Sequence, residues 1–400
     1  MKKILIISGK AAALLLLLIL LVATLSEFSP IYDFSAPRPF SGPDIYDPYA
    51  TVDTTWGWKR ANFHTHTRVD NILNECPEYP DVVYADYMKL GYDILTFSNH
   101  NLLTKHPVDP TLQVNVYEHG INLFKLHKLV FEPERMILHD PLLPFLPSQK
   151  QFEYDYLSRN ADFICMNHPD RTNMMTARSM RLLTGYRLME ADSGPSTELV
   201  RWDEALSAGH YSHCLTDDDC HDSGNHRKIG IRCSWQNVPD ATWPSLREAL
   251  LSGRFYSMRV PDFGDGDWEE KYRRNAELPG VLRIGAAHDT LHIELSEPAE
   301  WIKAIGQDHA TLDSLASASS LTYVMGADEP YVRFTARFTD GVYIYSNAFA
   351  RYDNANGDSP FEVAPHKINI PLTILFNLGL LALALLCVLA GAKLIRPWQK

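Results

Sequence analysis

Cysteine is scarce in this chain, with six residues among 400. One of them, Cys387, lies inside a long apolar run, and the odd five elsewhere form no obvious disulfide framework. Cys214 and Cys233 could pair, although spacing alone leaves connectivity open. Positive charge is also in deficit. The formal net charge is −12, so the basic surface of a nucleic-acid binder is missing and no such binding is expected. Lys2, Lys3, Lys10, Lys393, Arg396 and Lys400 sit in terminal segments without acids, so the middle of the chain carries −18 against −12 for the whole.

Both ends read as membrane segments. Pro371 to Ala392 is an apolar run; at about 1.5 Å per residue it can cross a hydrocarbon core of about 30 Å. Ala11 to Leu25 is apolar but shorter, and Lys10 interrupts its extension back to Ile4. The residues around Ala23, Thr24 and Ser26 make a poor small-x-small cleavage site, which favours an uncleaved signal anchor over a signal peptide. The expected layout is a signal anchor over 1–26, a Pro-rich linker over 27–56 and a second span over 368–394. The positive-inside rule then places both tails in the cytoplasm and the acidic middle outside, in a two-span protein of the cell membrane. Between Glu27 and Trp56, Pro30, Pro37, Pro39, Pro43 and Pro48 argue against helix or central strand. A spacer or an extended wrap is expected there.

The most informative stretch is Trp58 to Thr67, a short strand ending in His64-Thr65-His66. Residues i and i+2 of an extended chain point the same way, so both imidazoles can reach one metal ion. The same grammar recurs. Asp81 to Leu90 has helical spacing and stops at Gly91; Tyr92 to Phe97 is a strand ending in Ser98-Asn99-His100. Val114 to Tyr117 leads into Glu118, with His119 beside it and His127 further on. Asp162 to Met166 ends in Asn167-His168-Pro169, and Arg187 to Met189 delivers Glu190. A helix from Trp202 to Ala208 stops at Gly209, and Tyr211 to Thr216 ends in Asp217-Asp218-Asp219-Cys220-His221. Alternating strands and helices predict an α/β fold with a parallel sheet, whose sites lie at the carboxyl ends of the strands. Nitrogen and oxygen ligands with no required cysteine suit zinc, manganese or iron.

Taken in order, the His-x-His strand, Gly-Tyr-Asp-Ile-Leu-Thr-Phe-Ser-Asn-His-Asn, Asn-His-Pro and the Trp-Asp…Asp-Asp-Cys-His end resemble the polymerase and histidinol phosphatase (PHP) superfamily. The likeness spans about Trp58 to Met258 and is nearest to its carbaryl-hydrolase-like, stand-alone phosphoesterase branch. The resemblance implies a distorted (β/α)7 barrel over 57–260 with two or three divalent metal ions. It implies His64, His66, His100, His168, Asp219 and His221 as metal ligands, with Glu118 bridging two ions. Asp70 is the nearest match to an aspartate expected after His-x-His, with Glu75 behind it, and His127 suits the histidine after the bridging glutamate better than His119. The pattern departs at Asn99, where aspartate is usual.

The implied activity is a metal-dependent phosphoesterase using a metal-activated hydroxide, with Glu118, Asp219, His168 and Arg171 as catalytic residues. Clustered metals lower the pKa of water to about 7 and clamp both oxygens of an in-line displacement. Arg171 and Arg178 are candidates for bidentate phosphate contacts. Glu190 is either an orienter of a ligand or a plain strand-end carboxylate. Substrates of this class would be small-molecule, lipid or sugar phosphoesters. Two other readings are hydrolysis of a carboxylic or carbamate ester, and a non-catalytic binding module, the latter motivated by Asn99. Beyond Met258, short alternating strands (Leu282–Ile284, Thr290–Leu295, Thr322–Val324, Tyr331–Phe338 and Val342–Tyr345) predict a small β-sandwich over 280–352, tethered by a linker over 353–367.

Overall fold

The computed structural model describes residues 2–70 and 74–395, the side chains of 2–6 excepted. Arg396, Lys400 and the side chains of Lys2 and Lys3, counted above among the tail cations, therefore lie outside the described residues. Helix α1 (Lys2–Ser26) contains an apolar window, Ile7–Ser26, long enough to cross a membrane. The proline-rich stretch that follows is an extended wrap. Its two short strands, β1 (Tyr32–Asp33) and β2 (Asp44–Tyr46), pair with strands from the far end of the chain, and Phe40 and Tyr49 are buried against the body.

Seven strands then close on themselves. β3 (Lys59–Asn62) is followed by α2 (Pro80–Lys89). Pro80 opens that helix where its missing N–H costs nothing, Asp81 and Lys89 complement the helix dipole, and Gly91 closes it at φ +79°. β4 (Ile94–Leu95) lies parallel to β3. β5 (Val116–His119), β6 (Lys128–Phe131), α3 (Pro147–Ser158), β7 (Phe163–Met166), α4 (Ala177–Met180), β8 (Leu188–Glu190), α5 (Val200–Ser207) and β9 (His213–Leu215) follow in order. β5 through β9 form one sheet in sequence order. Single bridges from His100 to Glu118 and from Thr65 to Cys220 join its two edges to the segments leaving β4 and β3.

Strict strand–helix alternation is broken at β6. It runs antiparallel to both β5 and β7, and β5 reaches it through residues 120–127 with no helix between them. β6 is Lys-Leu-Val-Phe, a four-residue strand with no polar alternation to mark it, so the expectation of an all-parallel sheet fails there.

The chain continues through β10 (Arg232–Gln236), α6 (Trp243–Ser252), β11 (Phe255–Arg259) and α7 (Trp268–Ala276). Next come β12 (Val281–Ala287), β13 (Thr290–Gly306), β14 (Ala310–Val324), β15 (Tyr331–Arg337), β16 (Tyr343–Tyr345) and β17 (Phe349–Tyr352). These do not form the separate small sandwich expected from their alternation. β13 runs for 17 residues, and the ladder β13–β15–β16–β11–β10–β3 is continuous. One apolar core includes Tyr87 and Phe97 from the ring side together with Ile302, Phe334 and Phe349. Alternation reports that one face of a strand is buried; it carries no information about which strand lies alongside.

β18 (Lys367–Ile368) pairs with β1 and leads into α8 (Ile370–Ile395), the second helix long and apolar enough to cross a membrane. α1 and α8 pack on each other. All six cysteines are buried and unpaired, so Cys214 and Cys233 do not bond.

Candidate metal centre

The exits of the ring strands converge on Glu118. Local hydrogen bonds set each exit. The three consecutive aspartates after β9 do three different things. Asp217 Oδ1 accepts from Phe63 N at 2.7 Å, which fixes the end of β3. Asp218 accepts from the backbone of Gly230, Ile231 and Arg232 at 2.6–2.9 Å and from Tyr87 Oη at 2.9 Å, which ties down the following loop. Asp219 alone turns into the cluster. It does so at φ +51°, and His168 reaches the cluster at φ +29°. Such conformations cost a non-glycine residue about 1–3 kcal/mol and persist only when surroundings over-determine them. Asp219 N donates to His64 O at 3.1 Å, and His168 N donates to Glu190 Oε2 at 2.9 Å.

Ring nitrogens of five histidines lie 3.0–3.2 Å from the Glu118 carboxylate: His64, His66, His100, His127 and His168. The Asn167 amide donates to it as well, at 2.9 Å. A carboxylate offers about four lone-pair sites, so this crowd exceeds what hydrogen bonding alone can satisfy. His64 Nε2 and His66 Nε2 also face each other at 3.3 Å, and both approach Asp219 Oδ1 at 3.1 and 3.2 Å. A cation that accepts lone pairs from imidazole and carboxylate together resolves the arrangement, and the donor set fits one.

Three groups of side chains can each hold a metal ion, with their ligand atoms within 4.8 Å of one another. They are His64, His66, Glu118 and Asp219; His66, Glu75, His100 and His221; and His100, Glu118 and His127. The groups share His66, His100 and Glu118. An imidazole nitrogen has one lone pair for one ion, whereas the two oxygens of Glu118 can serve two.

The electrostatics match. Burial disfavours charge on His64 and His66, but the surrounding carboxylates outweigh it; His64 is held well above the usual imidazole range and His66 is raised to about 9. Burial alone would raise Glu118 and Asp219, yet the neighbouring imidazoles, His64 foremost, hold both well below the usual carboxylate range.

The structure brings together His64, His66, His100, Glu118, His127, His168, Asp219 and His221. Asp70 is not among them. Its side chain is 76% exposed and accepts from Tyr79 Oη at 3.3 Å, because the chain has already left the strand end. Glu75 stands near the cluster instead, with Oε2 at 3.1 Å from His100 Nε2 and 3.4 Å from His221 Nε2. His119 points to the other side of β5, where burial drives its pKa down to about 3 and its Nε2 lies 3.0 Å from His139 O. Glu190 Oε1 is 2.5 Å from His64 Nδ1, the position of a group that orients a ligand and fixes its tautomer. Asn99 is not at the cluster. Its amide oxygen accepts from Thr67 N at 2.8 Å and its nitrogen donates to Thr67 and Thr104 hydroxyls at 2.7 and 2.6 Å. The missing negative charge there is therefore a matter of loop anchoring, not of ligation.

A cavity of about 450 Å³ opens over the cluster. Arg171 lines it, donating to Asp219 Oδ2 and, through Nε, to Ser193 O at 2.7 Å. Arg178 lies elsewhere, in a depression beside Tyr32 and Phe34. Sequence reading passed over Lys125, Arg227, Lys228 and Arg232 on the cavity wall. The run Arg227-Lys228, closely following Asp-Asp-Asp-Cys-His in an acidic chain, was the available signal.

No family model matches the chain, and no curated protein matches it. A solved structure is similar: a two-domain protein containing a predicted PHP-like metal-dependent phosphoesterase from Bacteroides vulgatus ATCC 8482. The match covers 79% of this chain and 100% of that one, at 13% identity and a TM-score of 0.35. At that identity and score the likeness does not establish a shared activity.

Proposed function

We infer that this chain is a membrane-anchored, metal-dependent hydrolase of phosphoesters, of the PHP type. One observation carries the reading: five imidazoles and Asn167 converge on the single carboxylate of Glu118 at the strand exits. Glu118 and Asp219 are the carboxylates that would hold two or three divalent cations (zinc, manganese or iron), with His64, His66, His100, His127, His168, His221 and Glu75 completing the set. Bound there, divalent cations would supply Lewis acidity for phosphoester hydrolysis. Glu190 fixes the His64 ring, so that Nε2 faces the cluster. Arg171 pairs with Asp219 and lines the cavity, where its guanidinium can bind phosphate oxygens. Lys125, Arg227 and Lys228 add positive charge to the cavity wall within an acidic domain, where anionic substrate would meet it.

The test is metal content of the purified full-length protein, with turnover of a panel of phosphomonoesters, phosphodiesters and carboxylic esters. Two or three ions per chain with phosphoester turnover is the expected result. Turnover of carbonyl esters alone would make it a carboxylic or carbamate ester hydrolase. A folded protein that stays metal-free after reconstitution would make it a binding module.

The same reading places both tails in the cytoplasm and the body outside. It rests on the basic residues toward the outer ends of two helices of membrane length. Compartment-specific reporters fused at Gly357 and Lys400 should give opposite signals; matching signals overturn the topology.

A further inference from the structure

The body is docked tightly onto the ends of its two long apolar helices. At the exit of α1, Ser26 Oγ accepts from Leu142 N at 3.1 Å and Glu27 Oε1 from Leu143 N at 2.6 Å, and Gln149 at the start of α3 donates to Glu27 Oε2. At the entry of α8, Thr373 Oγ1 accepts from Ile31 N at 2.9 Å and Asn377 Nδ2 donates to Ser29 O at 3.0 Å, while Tyr32 N donates to Ser148 Oγ at 3.1 Å. Residues 142–149 are thus within hydrogen-bond reach of the last residues of a membrane-length helix, at headgroup depth if that helix spans. Headgroup regions add only about 5–8 Å to each side of the hydrocarbon core.

The surface at that level is apolar. Leu138, Phe145 and Leu146 are exposed on one loop, and Ile121 and Leu123 on the neighbouring one, Leu123 at 75% and Phe145 at 59%. The loops are knit together: Leu123 N donates to Leu142 O at 3.2 Å, Asp140 accepts from Ile121 N and Asn122 Nδ2, and the Phe124 and Phe145 rings are 5.2 Å apart. Residues 120–127 also carry Lys125 and His127 to the wall of the metal-centre cavity. One short connection therefore presents leucine and isoleucine outward and a lysine and a ligand histidine inward.

We propose that the loops 120–126 and 138–146 rest in the interface of the bilayer that holds α1 and α8, and that the substrate is a membrane-embedded amphiphile whose phosphoester enters the cavity from headgroup level. The occupant of the patch is the bilayer, because the patch is continuous with the ends of the two helices. Exposed leucine and phenylalanine are the side chains that insert at such an interface, and Lys125 beside them meets an anionic headgroup. The substrate half of the proposal rests on the phosphoesterase reading; the surface half does not.

The experiment uses the full-length protein in phosphatidylcholine vesicles. Cysteine is introduced at Leu123, Phe145 or Asp240 and labelled with an environment-sensitive fluorophore, since the six native cysteines are buried. Asp240 is the control. α3 runs from the membrane end toward β7, and Phe163 at the start of β7 stacks on Trp243, so Asp240 lies at the far end of the ring. Lipids with a quencher near the headgroup should quench the label at 123 and 145 at least threefold more than at 240. Equal quenching at all three positions overturns the surface contact, with or without metal or turnover. The double variant Leu123→Asp/Phe145→Asp should then lose at least tenfold in hydrolysis of phosphatidate within the vesicles and stay within twofold on soluble p-nitrophenyl phosphate. Equal rates, or equal losses, on the two substrates overturn the lipid assignment. Failure of the wild type to bind metal or cleave either substrate counts against the phosphoesterase reading and leaves the quenching result to decide the surface.

Discussion

Two clusters in this molecule each gather partners around a buried carboxylate and close it in opposite ways. Around Asp203 on α5, every strong charge is closed into a pair. Asp203 Oδ1 accepts from Arg333 Nε at 2.8 Å and Tyr331 Oη at 3.1 Å, while Oδ2 accepts from Arg333 Nη2 at 2.6 Å and contacts His309. A planar guanidinium meets a planar carboxylate in two parallel bonds, and the aspartate is held below its usual range despite full burial. Around Glu118 no guanidinium covers the carboxylate; five imidazoles crowd it instead. An imidazole brings one lone pair or one proton per nitrogen, so a crowd of them can serve as a ligand set where a closed network cannot. The comparison shows that burial and charge do not mark a site. Unclosed valence is what sets the Glu118 cluster apart.

Breaking the closed cluster should have the largest effect, and on stability only. Asp203→Ala leaves Arg333 charged and buried, which costs about 3–5 kcal/mol. The urea midpoint should fall sharply while metal per folded chain stays at the wild-type value. Asp203→Leu with Arg333→Met should recover much of the loss, since apolar replacement of a buried pair is often neutral. A loss of metal at unchanged stability would reverse the assignment of the two clusters.

Breaking the open cluster should do the reverse. Asp219→Ala is expected to lower phosphoester turnover at least 100-fold, about 2.7 kcal/mol, and to lose metal with it. Asp70→Ala, at a largely exposed side chain, is the matched control and should keep both. Metal and turnover that survive Asp219→Ala in a folded protein would remove Asp219 from the centre.

Glu190→Gln sharpens the comparison by loosening a ligand without removing it. Loss of a partner behind a ligand histidine typically costs 10–100-fold in metal affinity or activity. A competitive chelator titration should show that drop with an unchanged urea midpoint; no change would leave Glu190 a bystander.

The smallest effect is the pH dependence of the closed cluster. The hydrogen bond to Asp203 raises the His309 pKa above its ordinary value near 6.5. A raised folded-state pKa means the contribution is fully present below about 6.5 and is lost as pH rises through the higher folded value. Because His309 is partly exposed, the contribution should be about 1 kcal/mol or less. The stability gap between wild type and His309→Gln should shrink as pH increases across that window. A gap that widens would have the wrong sign.

Most of the cluster was legible because it is written locally. His-x-His, Ser-Asn-His and Asn-His-Pro each put a donor at the exit of a strand whose apolar run precedes it, and strand periodicity then sets the side chain's direction. The three aspartates after β9 were visible as a group, but their division of labour was not. One fixes β3, one fixes a loop and one enters the cluster, which depends on partners 12 to 156 residues away. Glu75 was ranked behind Asp70 because proximity in sequence to His66 says little about a loop's course.

The sequence by itself determined the chemistry on offer: imidazoles and carboxylates at strand exits, two apolar ends of membrane length, and an acidic middle with a late basic run. Tertiary structure decided which of those groups meet. It turned β6 antiparallel, so that residues 120–127 form a tight connection bringing His127 rather than His119 to Glu118. It also ran the C-terminal strands into the same sheet as β10 and β3. The physical reason is range. Side-chain direction along a strand follows from neighbouring residues, whereas pairing and the closure of carboxylates by distant cations depend on packing between segments that local pattern does not link.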